Sequence, residues 1–159
     1  MNKYPISSYN KYVSLKVDGI MLIIGLYLFK PYFLAIVSIA YRKDRSAIIH
    51  MFYPDELLVT FEAVAAIPML FLVYAWSRRN PEATPMVKNI WNRGKELIIM
   101  TAFFQLCVTT SSLWLPIDHV MTRTDWVQVM ICLSIIIITP FSTYMRDCFA
   151  DFPEKDQHG

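Results

Sequence analysis

Charge is scarce in this chain: Asp, Glu, Lys and Arg supply 18% of 159 residues, whereas an ordinary soluble domain carries about 25%. Glycine is scarcer still at four residues, which excludes a collagen-like repeat, and three cysteines are too few for a disulfide scaffold. A net charge of +2 is too small to argue for nucleic acid as a partner. The sequence also lacks a Walker loop, a G-x-S-x-G elbow, a zinc-protease motif and a Rossmann glycine pattern, so no enzyme class is singled out. What is abundant is apolar. Hydrophobic residues make up 55%, aromatics 14%, and the mean hydropathy is +0.37, which excludes a disordered polymer and points to a lipid bilayer.

A helix crossing the hydrocarbon core needs roughly 20 largely apolar residues. Four windows meet that need: Ile20–Tyr41, Leu57–Trp76, Leu97–Leu115 and Trp126–Tyr144. What lies between them is too short to bury a core of its own, so the expectation is an all-α, integral-membrane four-helix bundle, a single domain over 1–159. The connector 77–96 reads as a loop because Asn80, Pro81 and Pro85 interrupt it, with a short interfacial helix around Val87 to Glu96, and 151–159 reads as a frayed, solvated tail. On the other side, Ile48 to Tyr53 beside Arg42 to Arg45 reads as a loop lying on the membrane surface.

Lys30 sits at the centre of the first window, where it costs about 2.5–3.5 kcal/mol. Twelve Leu, Ile, Phe and Val residues share that window, and together they contribute roughly 4–7 kcal/mol in favour, so insertion still wins. Pro31 removes a backbone donor, which predicts a kink at Lys30-Pro31 with a neighbouring helix or water covering the freed carbonyl. A cleaved signal peptide ending near Ser38-Ile39-Ala40 is the weaker reading, because the apolar run is too long and holds a lysine. Ten of the 15 basic residues fall in the amino tail, the 77–96 loop and the carboxyl tail, and this bias predicts both termini on the cytoplasmic side. Tyr41, Trp76, Trp114, Trp126 and Tyr144 fall near span ends, as interfacial aromatics do.

Ionisable groups inside apolar windows are functional candidates by default. Lys30 lies roughly 16 Å from the outer end of its window and Glu62 roughly 8 Å from that of the second, by rise per residue. An ion pair and separate snorkelling of the two groups both remain open. Thr101, Gln105, Thr109 and Ser112 recur at spacings of four, four and three, hence on one inward face. Lys30, Glu62, Gln105 and Thr109 therefore form the candidate intramembrane polar cluster, either a substrate path or interhelical glue. No histidine lies within a window, so no haem or metal ligand set and no cofactor is expected there; His50 and His119, near Asp55, Glu56 and Asp118, are in outer loops and His158 is in the tail. Cys107 and Cys132 read as small buried hydrophobes and Cys148 as a residue of the cytoplasmic side.

Three stretches carry a likeness: Tyr9-Asn10-Lys11-Tyr12 ahead of Leu15-Lys16, then Leu26 to Tyr32 with the sequence Leu-Tyr-Leu-Phe-Lys-Pro-Tyr, then Phe52-Tyr53-Pro54. The chain resembles a set of small, uncharacterised four-span inner-membrane proteins of Gram-negative bacteria, most closely over its first half. That resemblance implies a bacterial inner membrane and no substrate, cofactor or reaction. The leading expectation is a non-enzymatic accessory or structural subunit that packs as a homo-oligomer or in a larger membrane complex. A small transporter or channel subunit using Lys30, Glu62 and Gln105 is the alternative, and a membrane enzyme acting on lipid or quinone rests only on Glu62, His50 and His119 lying on one side.

Overall fold

A computed structural model of the protein describes residues 4–10, 12–40, 56–113 and 121–153. It is all-helical among those residues. The helices are α1 (Gly19–Leu28), α2 (Lys30–Ala40), α3 (Glu56–Ala65), α4 (Ile67–Ser77), α5 (Pro85–Asn92), α6 (Gly94–Thr109), α7 (Arg123–Phe141) and α8 (Thr143–Ala150), with 3-10 turns at Ile6–Ser8 and Ser111–Leu113. His50, His119, His158, Asp55, Asp118, Tyr41 and Trp114, and the expected surface loop from Arg42 to Tyr53, lie outside the described residues.

Among the described residues α7 alone is long and apolar enough to cross a membrane. The count rises to three if the bent pairs α1–α2 and α3–α4 each make one span. The first bend is the expected one; the second, inside the window Leu57–Trp76, is unexpected, and a proline stands beside each. Pro31 and Pro68 stand near the start of the second helix of each pair, and neither can donate to the carbonyl four residues back. The chain turns by 63° at Phe29 and by 46° at Ala66. The first bend thus falls one residue ahead of the Lys30-Pro31 step.

α6 is the central helix. It packs most extensively on α7 and also meets α1, α3 and α4, and its buried face carries Ile98, Thr101, Ala102, Gln105 and Thr109. α7 shows the opposite pattern, with only 17% of its apolar stretch buried inside the protein. Its start is fixed by a capping box: Asp125 accepts from the Thr122 backbone amide at 2.7 Å while Thr122 Oγ1 accepts from the Asp125 amide at 3.4 Å.

Three expectations need correction. The third apolar window is a 16-residue helix that begins at Gly94, inside the expected loop, and closes at Thr109; at 1.5 Å per residue it is about 24 Å long, short of a full span. The tail is not frayed at its start, because Phe152 and Pro153 are buried and Asp151 Oδ2 accepts from the Leu15 amide at 2.7 Å. Cys107 is exposed, unlike Cys132 and Cys148, because its position on α6 falls outside the Thr101–Gln105–Thr109 stripe.

One end of the molecule is knitted from three distant segments. Arg79 donates to the carbonyls of Leu15 at 2.7 Å and Asp151 at 2.6 Å, and its guanidinium lies 4.4 Å above the Trp91 ring. Trp91 Nε1 donates to the Cys148 carbonyl, Tyr144 donates to the Lys16 carbonyl, and Tyr4 donates to Asp147 Oδ2. Burial pushes the Cys148 thiol up from 9.0 to about 11, against the opposing pull of the Arg79 charge. Gly94 is where α6 passes beneath Phe149, and a Cβ added there would stand 2.2 Å from Phe149 Cε1. Gly94→Ala is therefore expected to cost about 1–3 kcal/mol through overpacking. In thermal unfolding the substitution should lower Tm, and Phe149→Leu in the same chain should recover part of the loss; an unchanged Tm for the single variant would contradict this packing.

Candidate functional site

Lys30 is the first residue after the α1–α2 bend, and Glu62 lies one turn before the α3–α4 bend. Breaking both helices beside these residues lets side chains of unequal nominal depth meet. Lys30 Nζ stands 3.3 Å from Glu62 Oε2, with 23% of the lysine side chain and 3% of the glutamate side chain exposed.

A third residue ties them together. Gln128, on α7, accepts from Lys30 Nζ at 2.6 Å through Oε1. Its Nε2 donates to Glu62 Oε1 and, at 2.7 Å, to Thr109 Oγ1. Thr109 in turn donates to the Gln105 carbonyl at 2.9 Å. The amide is suited to this place because it carries an acceptor on one side and two donors on the other, and so it answers the cation, the anion and the hydroxyl at once. Two tyrosines complete the surround. Tyr27 holds its hydroxyl against the Gln128 carbonyl at 3.5 Å and Cys132 Sγ at 3.8 Å, and Tyr32 donates to the Ala63 carbonyl at 2.6 Å, which locks α2 onto α3.

Of the expected cluster, Lys30, Glu62 and Thr109 are brought together. Gln105 is buried beside them but bonds elsewhere, its Nε2 donating at 2.9 Å to the Leu28 carbonyl. The bend explains this. The Tyr32 amide bonds the Phe29 carbonyl at 3.1 Å, which leaves the Leu28 carbonyl without its helical donor. A side chain from the neighbouring helix replaces the lost bond, as buried backbone requires. Gln105 Oε1 and Thr139 Oγ1 are buried without a hydrogen-bond partner among the described residues. Thr101 is buried on the same stripe and donates to the Leu97 carbonyl of its own helix. Ala66, fully buried at the second bend, allows the close approach there.

Gln128 escapes the sequence reading because it lies two residues inside Trp126, where an amide looks interfacial. It is nevertheless the one amide side chain in the window 126–144, and that isolation is the available signal. Among the described residues no group of three His, Cys, Asp or Glu side chains is placed to hold a metal ion.

The arrangement sets one cation against one anion and directs the described hydrogen bonds of both to Gln128. Removing one charge strands the other, which for a buried pair costs about 3–5 kcal/mol. Lys30→Met is thus expected to destabilise more than Lys30→Met combined with Glu62→Gln, since a neutral amide can still bond Gln128. A double-mutant cycle read by thermal unfolding measures this, and strict additivity would mean that the two residues do not act as a unit.

A family model described as "Protein of unknown function (DUF2919)" matches residues 4–151. No curated protein and no solved structure matches the chain.

Proposed function

The chain belongs to the DUF2919 family of proteins of unknown function, and for it we propose the role of a non-enzymatic membrane subunit that packs against copies of itself or within a larger membrane assembly. It lies in a bacterial inner membrane as a four-span bundle, with α1–α2, α3–α4, α6 with its following turn, and α7 as the spans and both termini in the cytoplasm. Orientation is supported by the basic residues concentrated in the two tails and the 77–96 segment. It is also supported by the hydrogen bonds joining Leu15, Arg79 and Asp151 at one end.

The observation that carries the reading is the mutual bonding of Lys30, Glu62, Gln128 and Thr109. Because these polar atoms face one another, the surface left for recognition is apolar: Ile23, Phe33, Met130, Ile137 and Ile138 all point outward, each at least half exposed. In a bilayer such faces meet lipid tails or another helix. Purification in mild detergent followed by mass determination should give a homo-oligomer or a complex with a second membrane protein. A sharp monomer with no companion would overturn the proposal.

One feature favours a small transporter as the second reading. Broken helices that meet at a charged pair are the usual architecture of a coupling site in secondary transporters, and Lys30 and Glu62 flank the two breaks here. In this version Gln128 takes the place that the sequence assigned to Gln105. Proton or anion flux into reconstituted vesicles should vanish with Lys30→Met; flux that persists in that variant, or no flux in the native chain, eliminates transport.

A further inference from the structure

α1 and α4 do not close on each other along their length. Gly25 presents no side chain to the neighbouring helix, and the one atom that crowds its place is Met69 Cε, 3.2 Å from where a Cβ would stand. A cavity of about 200 Å³ remains between the helices. It runs from Trp76, Trp91 and Phe149, at the end held by Arg79, toward Phe29 at the first bend. The ten residues of α1 make that path about 15 Å long. Every residue lining it is apolar. The rim is open sideways, with Leu26 69% exposed and Leu22 39% exposed.

We propose that this groove holds one acyl chain of an anionic phospholipid drawn from the surrounding bilayer; the inference rests on the membrane reading given above and not on the packing role. A helix, about 10 Å across with its side chains, is too wide for a space left by one missing side chain, whereas a single hydrocarbon chain is slender enough. Charge at the mouth selects the headgroup. Lys16 adjoins the lining residue Val17, Arg78 follows Trp76 by two residues, and Lys88 and Lys95 each lie three residues before the lining residues Trp91 and Ile98. None of these four cations forms an ion pair among the described residues. Of the neighbouring acids, Asp18 and Glu96 are exposed, while Asp147 and Asp151 are engaged, accepting from Tyr4 and from the Leu15 amide. Cations just outside a span attract anionic headgroups, and the half-exposed Trp76 marks the level at which a headgroup would sit.

Native mass spectrometry of the full chain tests this, in detergent doped with equal amounts of phosphatidylglycerol and phosphatidylcholine of identical acyl chains. One phosphatidylglycerol should remain bound in preference to phosphatidylcholine. Arg78→Gln and Lys88→Gln, both at exposed positions, should each reduce that preference about fivefold. Gly25→Leu should abolish retention of either lipid; should that variant not fold, Leu22→Trp blocks the open rim from outside the core and should do the same. Equal retention of the two lipids, native-level retention in the folded blocking variant, or a dimer that carries no lipid overturns the proposal. A chain that stays dissolved without detergent would instead remove the membrane reading on which it stands.

Discussion

A lysine within an apolar helix must find an anion or leave the hydrocarbon, and the architecture around Lys30 follows from that demand. The partner is Glu62, which is 3% exposed and equally in need of a cation. Two straight helices would hold these side chains at different depths. Bends at Phe29 and Ala66 remove the mismatch, and Gln128 then fixes the pair from a third helix while Thr109 anchors Gln128 from a fourth. Four helical segments are thereby set against one another by one charged and hydrogen-bonded cluster. Apolar contacts alone tolerate sliding and repacking; a polar group that must be answered in lipid does not.

The bends create a demand of their own. Opening the first helix releases the Leu28 carbonyl, and Gln105 supplies the missing donor from α6. The interior of the protein thus contains two kinds of polar residue with separate duties. Lys30, Glu62, Gln128 and Thr109 neutralise charge, whereas Gln105 repairs backbone. Both duties fall on the α6 stripe, which accounts for α6 being the helix that meets most of the others although it is shorter than the apolar window it overlaps.

Much of this is legible in the residues. Proline at position 31, the inward spacing of Thr101, Gln105 and Thr109, and the isolated Lys30 and Glu62 each have a local physical meaning that survives into the structure, whereas the bend beside Pro68 goes unread. What escapes is what depends on register between helices. Nothing about Gln128 alone says that its amide reaches Lys30, because that requires knowing which turn of α7 lies opposite the bend. Asp151 and Phe152 likewise look solvated in a polar tail, and only the docking of residues 14–16 against them reveals a packed end. The start of α6 at Gly94 is obscured for a related reason: a glycine in a charged stretch reads as a break, while here it is the clearance for Phe149.

The stitched end also sets an order on assembly. The Leu15 amide finds its acceptor on Asp151, 136 positions downstream, and Tyr4 finds its own 143 positions away. Contacts so remote in the chain incur their loop-closure entropy late. While a ribosome is still making the middle helices, the leading segment has no carboxylate to grip and Arg79 has only one of its two carbonyls. The fastening closes after the last helix emerges, so a truncated nascent chain would hold its apolar helices without the clasp that ties beginning to end.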